Sequence, residues 1–337
     1  MTNLIAQLPD HVRAVVERGT FADFATVSAA GVPIDTPTYY FPSDDLATLD
    51  IATGLAYPAK AERARRNPKV GMLVEGGPGQ PVVSVRGRAA VRDSDFSANA
   101  RRYLSETGFD RIAFGLGWDV ARQAVWYWTR LIVEVTPERI LWWESPEACE
   151  GAPNVLQVPA DFVFPTSDPA PGGAPTKPSA WPDRSWAEKA EGALRRGAPG
   201  HLTVCDADGY PLPIRAKTIE LGDGGFRVEM PGGLPFALAG KATLTFQGVE
   251  TFVGEVSGTP DALWLAVERA LPELPMMKDP KEVFQPSEQV RTSLLARLEG
   301  ELARRGSPPV EIPEELPAPT RLFQLRRQTT GADTFKE

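Results

Sequence analysis

Apolar residues along the chain recur at two periods, and the period changes where the structure is expected to change. Val12, Val15 and Val16 fall at helical spacing within Leu8–Arg18, and Gly19 stands where such a helix would stop. A strand over Phe24–Ser28, the turn Ala29-Ala30-Gly31 and a β-branched and aromatic run Thr36–Phe41 predict a hairpin. Ser43-Asp44-Asp45 turns the chain into a third strand, Leu49–Thr53, and Pro58–Asn67 is charged, helix-prone and stopped by Pro68. Val70–Val74 and Val82–Val91 predict two more strands, the second alternating through Val83, Val85, Gly87 and Ala89. A helix near Phe96–Glu106, a strand over Ala124–Val135 and a last strand over Ile140–Trp143 complete the unit. Such a set of short strands with two or three helices predicts a small barrel rather than a βαβ layer.

Between Ser145 and Pro182 the composition moves to Pro, Gly, Ala and Ser, and Asp168–Pro175 holds no regular pattern, so a domain boundary is expected there. Beyond it the opening pattern repeats. A shift of 178 places Gly19 on Gly197, Gly31 on Gly209 and Pro33 on Pro211, and sets Val16 on Leu194, Phe24 on Leu202, Val27 on Cys205 and Ile34 on Leu212. Strands are predicted at Phe226–Met230, Ala242–Phe246 and Thr251–Val256, helices at Asp261–Ala270 and Arg291–Arg305, and a final strand at Arg321–Leu325. The fold class read from this is mainly β with flanking helices (α+β), as two tandem split β-barrels. Its divisions are residues 1–144, a Pro/Gly-rich linker at 145–182, and a degenerate second barrel at 183–337 with a helical C-terminal insertion.

Bulk properties narrow the function. The 337 residues suit two globular domains, with 42% apolar and 24% charged residues as in ordinary water-soluble chains. No apolar run approaches the roughly 20 residues that a bilayer needs, and Met1–Gly19 carries Asp10 and Glu17, unlike a secretory signal. A cytoplasmic location is the resulting expectation. The net charge of −8 argues against a nucleic-acid partner, while local basic clusters leave room for small anions. Cys149 and Cys205 lack metal-ligand spacing, and no metal site is expected.

Five segments resemble the FMN-binding split-barrel superfamily typified by pyridoxamine 5′-phosphate oxidase. They are Gly31–Phe41, Leu49–Gly54, Lys60–Val70, Val85–Ala89 and Val133–Ile140, in order within residues 20–143. The resemblance implies that Thr36, Thr38 and Tyr39 run along a flavin ring, that Lys60 holds its phosphate, and that Ser84 and Arg86 approach the cofactor from a neighbouring strand, while the Thr53 hydroxyl is a further donor that the strand end offers the phosphate. A strand end followed by a helix start suits a phosphate on physical grounds too, since free N–H groups and the helix dipole favour an anion there. Ala59 and Arg63 stand where many relatives carry Arg and Asn, and Arg63 is a candidate for the missing phosphate contact. Without the resemblance, the Lys60–Arg66 cations read as a solvated helix face and the threonines as strand residues. Trp126, Trp128, Trp142 and Trp143 read either as flavin-stacking or as core aromatics.

The activity implied is an FMN-dependent oxidoreductase exchanging hydride with a small substrate. No catalytic acid or base is identified. Arg321–Arg326 only faintly echoes the family's substrate-binding Arg-Leu-x-Asp-Arg, so no substrate is named. Alternatives are a deazaflavin-dependent reductase or a non-catalytic flavin or haem sensor, the last limited to His11 and His201 as axial ligands. Family members pair as two-fold dimers, so the second copy is expected to act as an internal partner, with a homodimer also open. Arg215 and Lys217, which fall on Pro37 and Tyr39 in the repeat, are either reaching groups or exposed strand residues.

Overall fold

The computed structural model describes residues 3–19, 21–107, 115–176, 185–246, 250–271 and 283–320. Helix α1 (Asp10–Glu17) buries Val12, Val15 and Val16 on one side, as the spacing predicts, and the Tyr40 hydroxyl donates to the Val16 carbonyl to hold it against the sheet. The sheet of the first half contains β1 (Phe21–Val27), β2 (Pro33–Pro42), β3 (Leu49–Gly54), β4 (Lys69–Glu75), β5 (Val82–Arg92), β6 (Arg130–Trp143) and β7 (Asn154–Gln157). Their order is β3-β2-β1-β4-β5-β6-β7, and an additional β3–β6 pairing closes the first six into a barrel. Helix α2 (Ala59–Arg66) follows β3 and α3 (Phe96–Thr107) follows β5.

The second half opens with helix α6 (Trp186–Arg196), capped by Ser185, and forms its own sheet. Its strands are β8 (Gly200–Cys205), β9 (Pro211–Arg215), β10 (Thr218–Gly222), β11 (Gly225–Glu229), β12 (Gly240–Phe246), β13 (Thr251–Thr259) and β14 (Ala262–Ala270). The order β10-β11-β14-β13-β12-β8-β9 leaves this sheet open, because β9 pairs only with β8. The repeat holds to the residue. Val27 faces Pro33 across the first hairpin and Cys205 faces Pro211 across its counterpart, both at the shift of 178. Gly31 (φ 74°) and Gly209 (φ 80°) supply the left-handed turn residue in each, which is why glycine recurs there.

Three local expectations are corrected. Val125–Trp128 is a helical turn (α5, after the short α4 at Trp118–Ala121), and the strand begins at Arg130. Burial of Trp126 and Trp128 against the core outweighs the β-propensity of that aromatic run. From Arg130 the strand runs unbroken through Pro137, which a bulge opposite Arg86 and Gly87 accommodates. The stretch 262–270, helical by composition, is β14: Leu263 and Leu265 alternate into the core between β11 and β13, where two strands lack a neighbour without it.

The Pro/Gly-rich segment is not a free tether. β7 extends the first sheet, and the Asp168 carboxylate accepts from the backbone N–H groups of Asp93 and Ser94. Helix α7 (Glu288–Arg305) returns to the first half: Leu294, Leu298 and Leu302 join its core, and Arg297 donates to the Ala56 carbonyl at 2.7 Å. The strand expected at Arg321–Leu325 lies outside the described residues. Among the described residues no helix is long and apolar enough to cross a membrane.

Candidate functional site: a buried cation pocket in the first barrel

The barrel closes where β3 meets β6, with Thr53 opposite Leu131 and Gly54 opposite Arg130. Immediately after β3 the chain turns under Tyr57, whose ring occupies the space a side chain at Gly54 would need, and enters α2. Two cations converge here. Arg130 is 4% exposed, its guanidinium lying 3.9 Å from the centre of the Tyr127 ring and 4.3 Å from that of Tyr103. Its Nε and Nη2 groups are buried and make no well-aligned hydrogen bond, the Tyr127 hydroxyl being the polar group that interacts with the guanidinium. Lys60, in the first turn of α2, donates from Nζ to the Pro37 carbonyl at 3.0 Å. Burial, with Arg63 and Arg130 adding repulsion, pushes its ammonium down to about 8, against the opposing pull of Asp35 and Asp23.

No carboxylate among the described residues lies within ion-pair distance of Arg130 or Lys60. Elsewhere the chain pairs its buried arginines. Arg65 meets Asp93 at 2.7 Å, Arg305 meets Glu62 at 2.8 Å, and Arg86 meets Glu138 and Asp206. An unsatisfied buried N–H costs about 1–3 kcal/mol, so the pocket is electrostatically incomplete.

The remaining residues expected at the site divide into two sets. Thr53 is buried at the β3–β6 closure. Thr36, Thr38 and Tyr39 flank Pro37 on β2: the Thr36 hydroxyl oxygen is shielded and unpartnered, Thr38 donates to the Tyr39 carbonyl, and the Tyr39 ring lies 4.1 Å from that of Phe21. Arg63, one turn beyond Lys60, donates through Nε to the Thr26 hydroxyl at 2.7 Å, and burial followed by Arg66 pushes it down to about 10.

Ser84 and Arg86 stand apart from these on β5 and are committed to the second half. Ser84 donates to the Pro213 carbonyl at 2.8 Å, and Arg86 is held by Glu138, Asp206 and Asp208 with its guanidinium 3.9 Å from the centre of the Tyr210 ring. Arg215 crosses to Glu75 at 2.6 Å, while Lys217 pairs with Glu229 in its own half. His11 pairs at the surface with Glu144, and His201 is buried between Asp35 and Asp23. The four tryptophans are buried, with Trp128 packed against Tyr127, Trp118 and Phe284.

Arg130 was not singled out by the sequence reading. Its only signal is a lone charge inside the otherwise uncharged run Trp126–Val133.

Strand order, the β3–β6 closure and the repeated hairpin decide the architecture. The molecule is a tandem pair of split barrels, the first closed and the second open. Solved structures similar to this chain include General Stress Protein 26 from Bacillus anthracis, at 14% identity over 47% of this chain and 100% of that one, with a TM-score of 0.31. A pyridoxamine 5′-phosphate oxidase-related, FMN-binding protein from Nostoc punctiforme matches at 18% identity over 42% of this chain and 82% of its own, TM-score 0.29. A FAD-binding protein from Mesorhizobium loti matches at 23% identity over 40% and 94%, TM-score 0.30. No family model and no curated protein matches the sequence.

Proposed function

We propose that the first barrel binds a flavin through its phosphate and that the protein is an FMN-dependent oxidoreductase acting on a small substrate. The observation that carries this reading is the Lys60–Arg130 pocket: a buried and a half-buried cation, two guanidinium N–H groups without a well-aligned acceptor and, among the described residues, no carboxylate within ion-pair distance. A phosphate supplies both the charge and the acceptors. Lys60, Arg130 and Thr53 would hold it, with Arg63 adding positive charge, and Thr36, Thr38 and Tyr39 lie along the strand on which a ring would rest. Bound there, a flavin supplies hydride chemistry, while this chain contributes binding, orientation and the exclusion of water. Ser84 and Arg86 act in this reading as joints between the halves rather than as cofactor ligands. Both histidines are already engaged, which disfavours the haem alternative.

The test is the visible spectrum of the purified protein, followed by titration of the apoprotein with FMN, riboflavin and a deazaflavin. FMN binding that weakens at least tenfold in Arg130→Ala and in Lys60→Ala is expected. Preference for the deazaflavin would reassign the cofactor, and an apoprotein that binds none of the three would overturn the proposal. The cytoplasmic setting and the oligomeric state are carried forward as parts of the same proposal, to be read from cell fractionation and from mass in solution.

A further inference from the structure

The two halves meet face to face, and the meeting is reciprocal: β9 packs on β4 of the first barrel while β2 packs on β12 of the second. Gly71 of β4 lets the Pro211 carbonyl approach so closely that a Cβ at that position would lie 1.8 Å from it. In the repeat β9 corresponds to β2 and β12 to β4, so a pseudo-two-fold axis runs between the halves. The shift of 178 carries Asp23 onto His201, and the hairpin registers agree, with Asp23 opposite Pro37 and His201 opposite Arg215. These two equivalent residues touch, Asp23 Oδ2 lying 3.6 Å from His201 Nδ1. Equivalent points in contact lie on the axis, as in any isologous interface.

The surroundings are buried and polar. Asp23, Asp35, His201 and Thr203 are 4%, 0%, 2% and 0% exposed. The far imidazole nitrogen of His201 meets Asp35 Oδ2 at 2.7 Å, Thr203 donates to the same oxygen at 2.8 Å, and Thr251 donates to the Asp35 carbonyl. Glu75 on β4 also acts on the imidazole but is matched by Arg215 from β9, and Lys60 on α2 acts on the two aspartates. With the second half in place, the axis carries a carboxylate against an imidazole. With another copy of the first half in its place, Asp23 would meet Asp23, each beside a buried Asp35. Buried like charges at that spacing cannot all ionise, and the association is penalised.

We propose that the Asp23–His201 contact selects the second half of the same chain, over the first half of another copy, as the partner of the first barrel. The divergence of the repeat at this position makes the face discriminate between the two partners.

The full-length chain tests this with His201→Asp, His201→Asn, Asp23→His and the swap Asp23→His/His201→Asp, each refolded from urea. Midpoints would be measured at pH 7.5 and pH 5, size distributions by light scattering, and metal content by mass spectrometry. The expected result at pH 7.5 is a lower midpoint and a mixture of sizes for His201→Asp relative to His201→Asn. That gap should close at pH 5, where the added carboxylate takes up a proton. The swap should lose less than the sum of its two single changes. Should His201→Asp fail to refold at pH 7.5, the swap compared with His201→Asn and Asp23→His carries the test. Equal behaviour of His201→Asp and His201→Asn at both pH values, or a swap no better than additive, overturns the proposal. So does a stoichiometric divalent metal ion that is lost in His201→Asn, since the cluster would then exist for the ion.

Discussion

A single side chain, Arg130, changes the chemical reading of the first barrel. A buried arginine normally brings its counter-ion with it, because removing a charge from water without a partner costs several kcal/mol. Arg130 has two tyrosine faces instead. Lys60 beside it is held near the point of losing its proton. An anion that needs the ammonium form should bind more weakly as the pH rises through about 8, because each complex above that pH must first recover a proton. Titrations with FMN between pH 6.5 and 9.5 should show this slope in the wild type and a flatter profile in Lys60→Arg, which stays charged throughout. A wild-type affinity independent of pH would remove Lys60 from the site. The position of Lys60 was legible as a cation at the start of a helix after a strand. Arg130 was not, because its surroundings come from α3, α5 and the turn after β3, which meet only in the folded chain.

Among the elements, β1, β2, β4 and β5 of the first half and β8, β9, β12 and β13 of the second make the seam between the halves, and its tolerances are narrow. Gly71→Ala should cost about 1–3 kcal/mol in urea unfolding, since backbone rather than a flexible side chain occupies the space. Arg86→Ala should cost more, about 3–5 kcal/mol, because it leaves Glu138 without its cation and Asp206 with only the longer contact to Arg139. An Arg86→Ala protein that keeps the wild-type midpoint would show that Arg139, also 3.3 Å from Asp206, suffices alone. The seam also responds to pH. Burial lowers the His201 imidazole, but Asp23 and Asp35 outweigh it and raise the group to about 9. Its stabilisation is therefore complete below about pH 6.5 and is lost as the pH rises toward 9. Asp23, raised by burial to about 7, loses its share over a lower range, from about pH 4 upward. Unfolding midpoints should fall from mildly acid to alkaline pH, and His201→Asn should remove the upper part of that fall.

At the scale of the whole molecule, the chain ties itself together by returning to where it began. Helix α7 follows the second sheet in sequence yet lies on the first barrel, with Glu301 fully buried among Arg304, Arg305 and Thr176. Arg304 and Arg305 also grip Glu62 on α2, the helix that carries Lys60. Leu298→Ala should cost about 2–5 kcal/mol and should weaken FMN binding along with stability, a combined loss that calorimetry and titration would read separately. If stability alone falls, α7 supports the barrel without positioning α2.

The hairpins, the turn glycines, the buried side of α1 and the 178-residue repeat were all legible in the chain alone, because near neighbours and their periodicity produce them. The same local information placed Lys60 on a helix after a strand, and the resemblance of five segments to FMN-binding split barrels raised the cofactor hypothesis. The tertiary structure alone decided that residues 262–270 form a strand, that Arg130 lies buried without a counter-ion, that Ser84 and Arg86 face the other half, and that Asp23 meets His201 on the axis. Each of these depends on which distant segment fills the space opposite a residue. Burial and pairing across such distances set the free energy of a charge, and no local pattern carries that information.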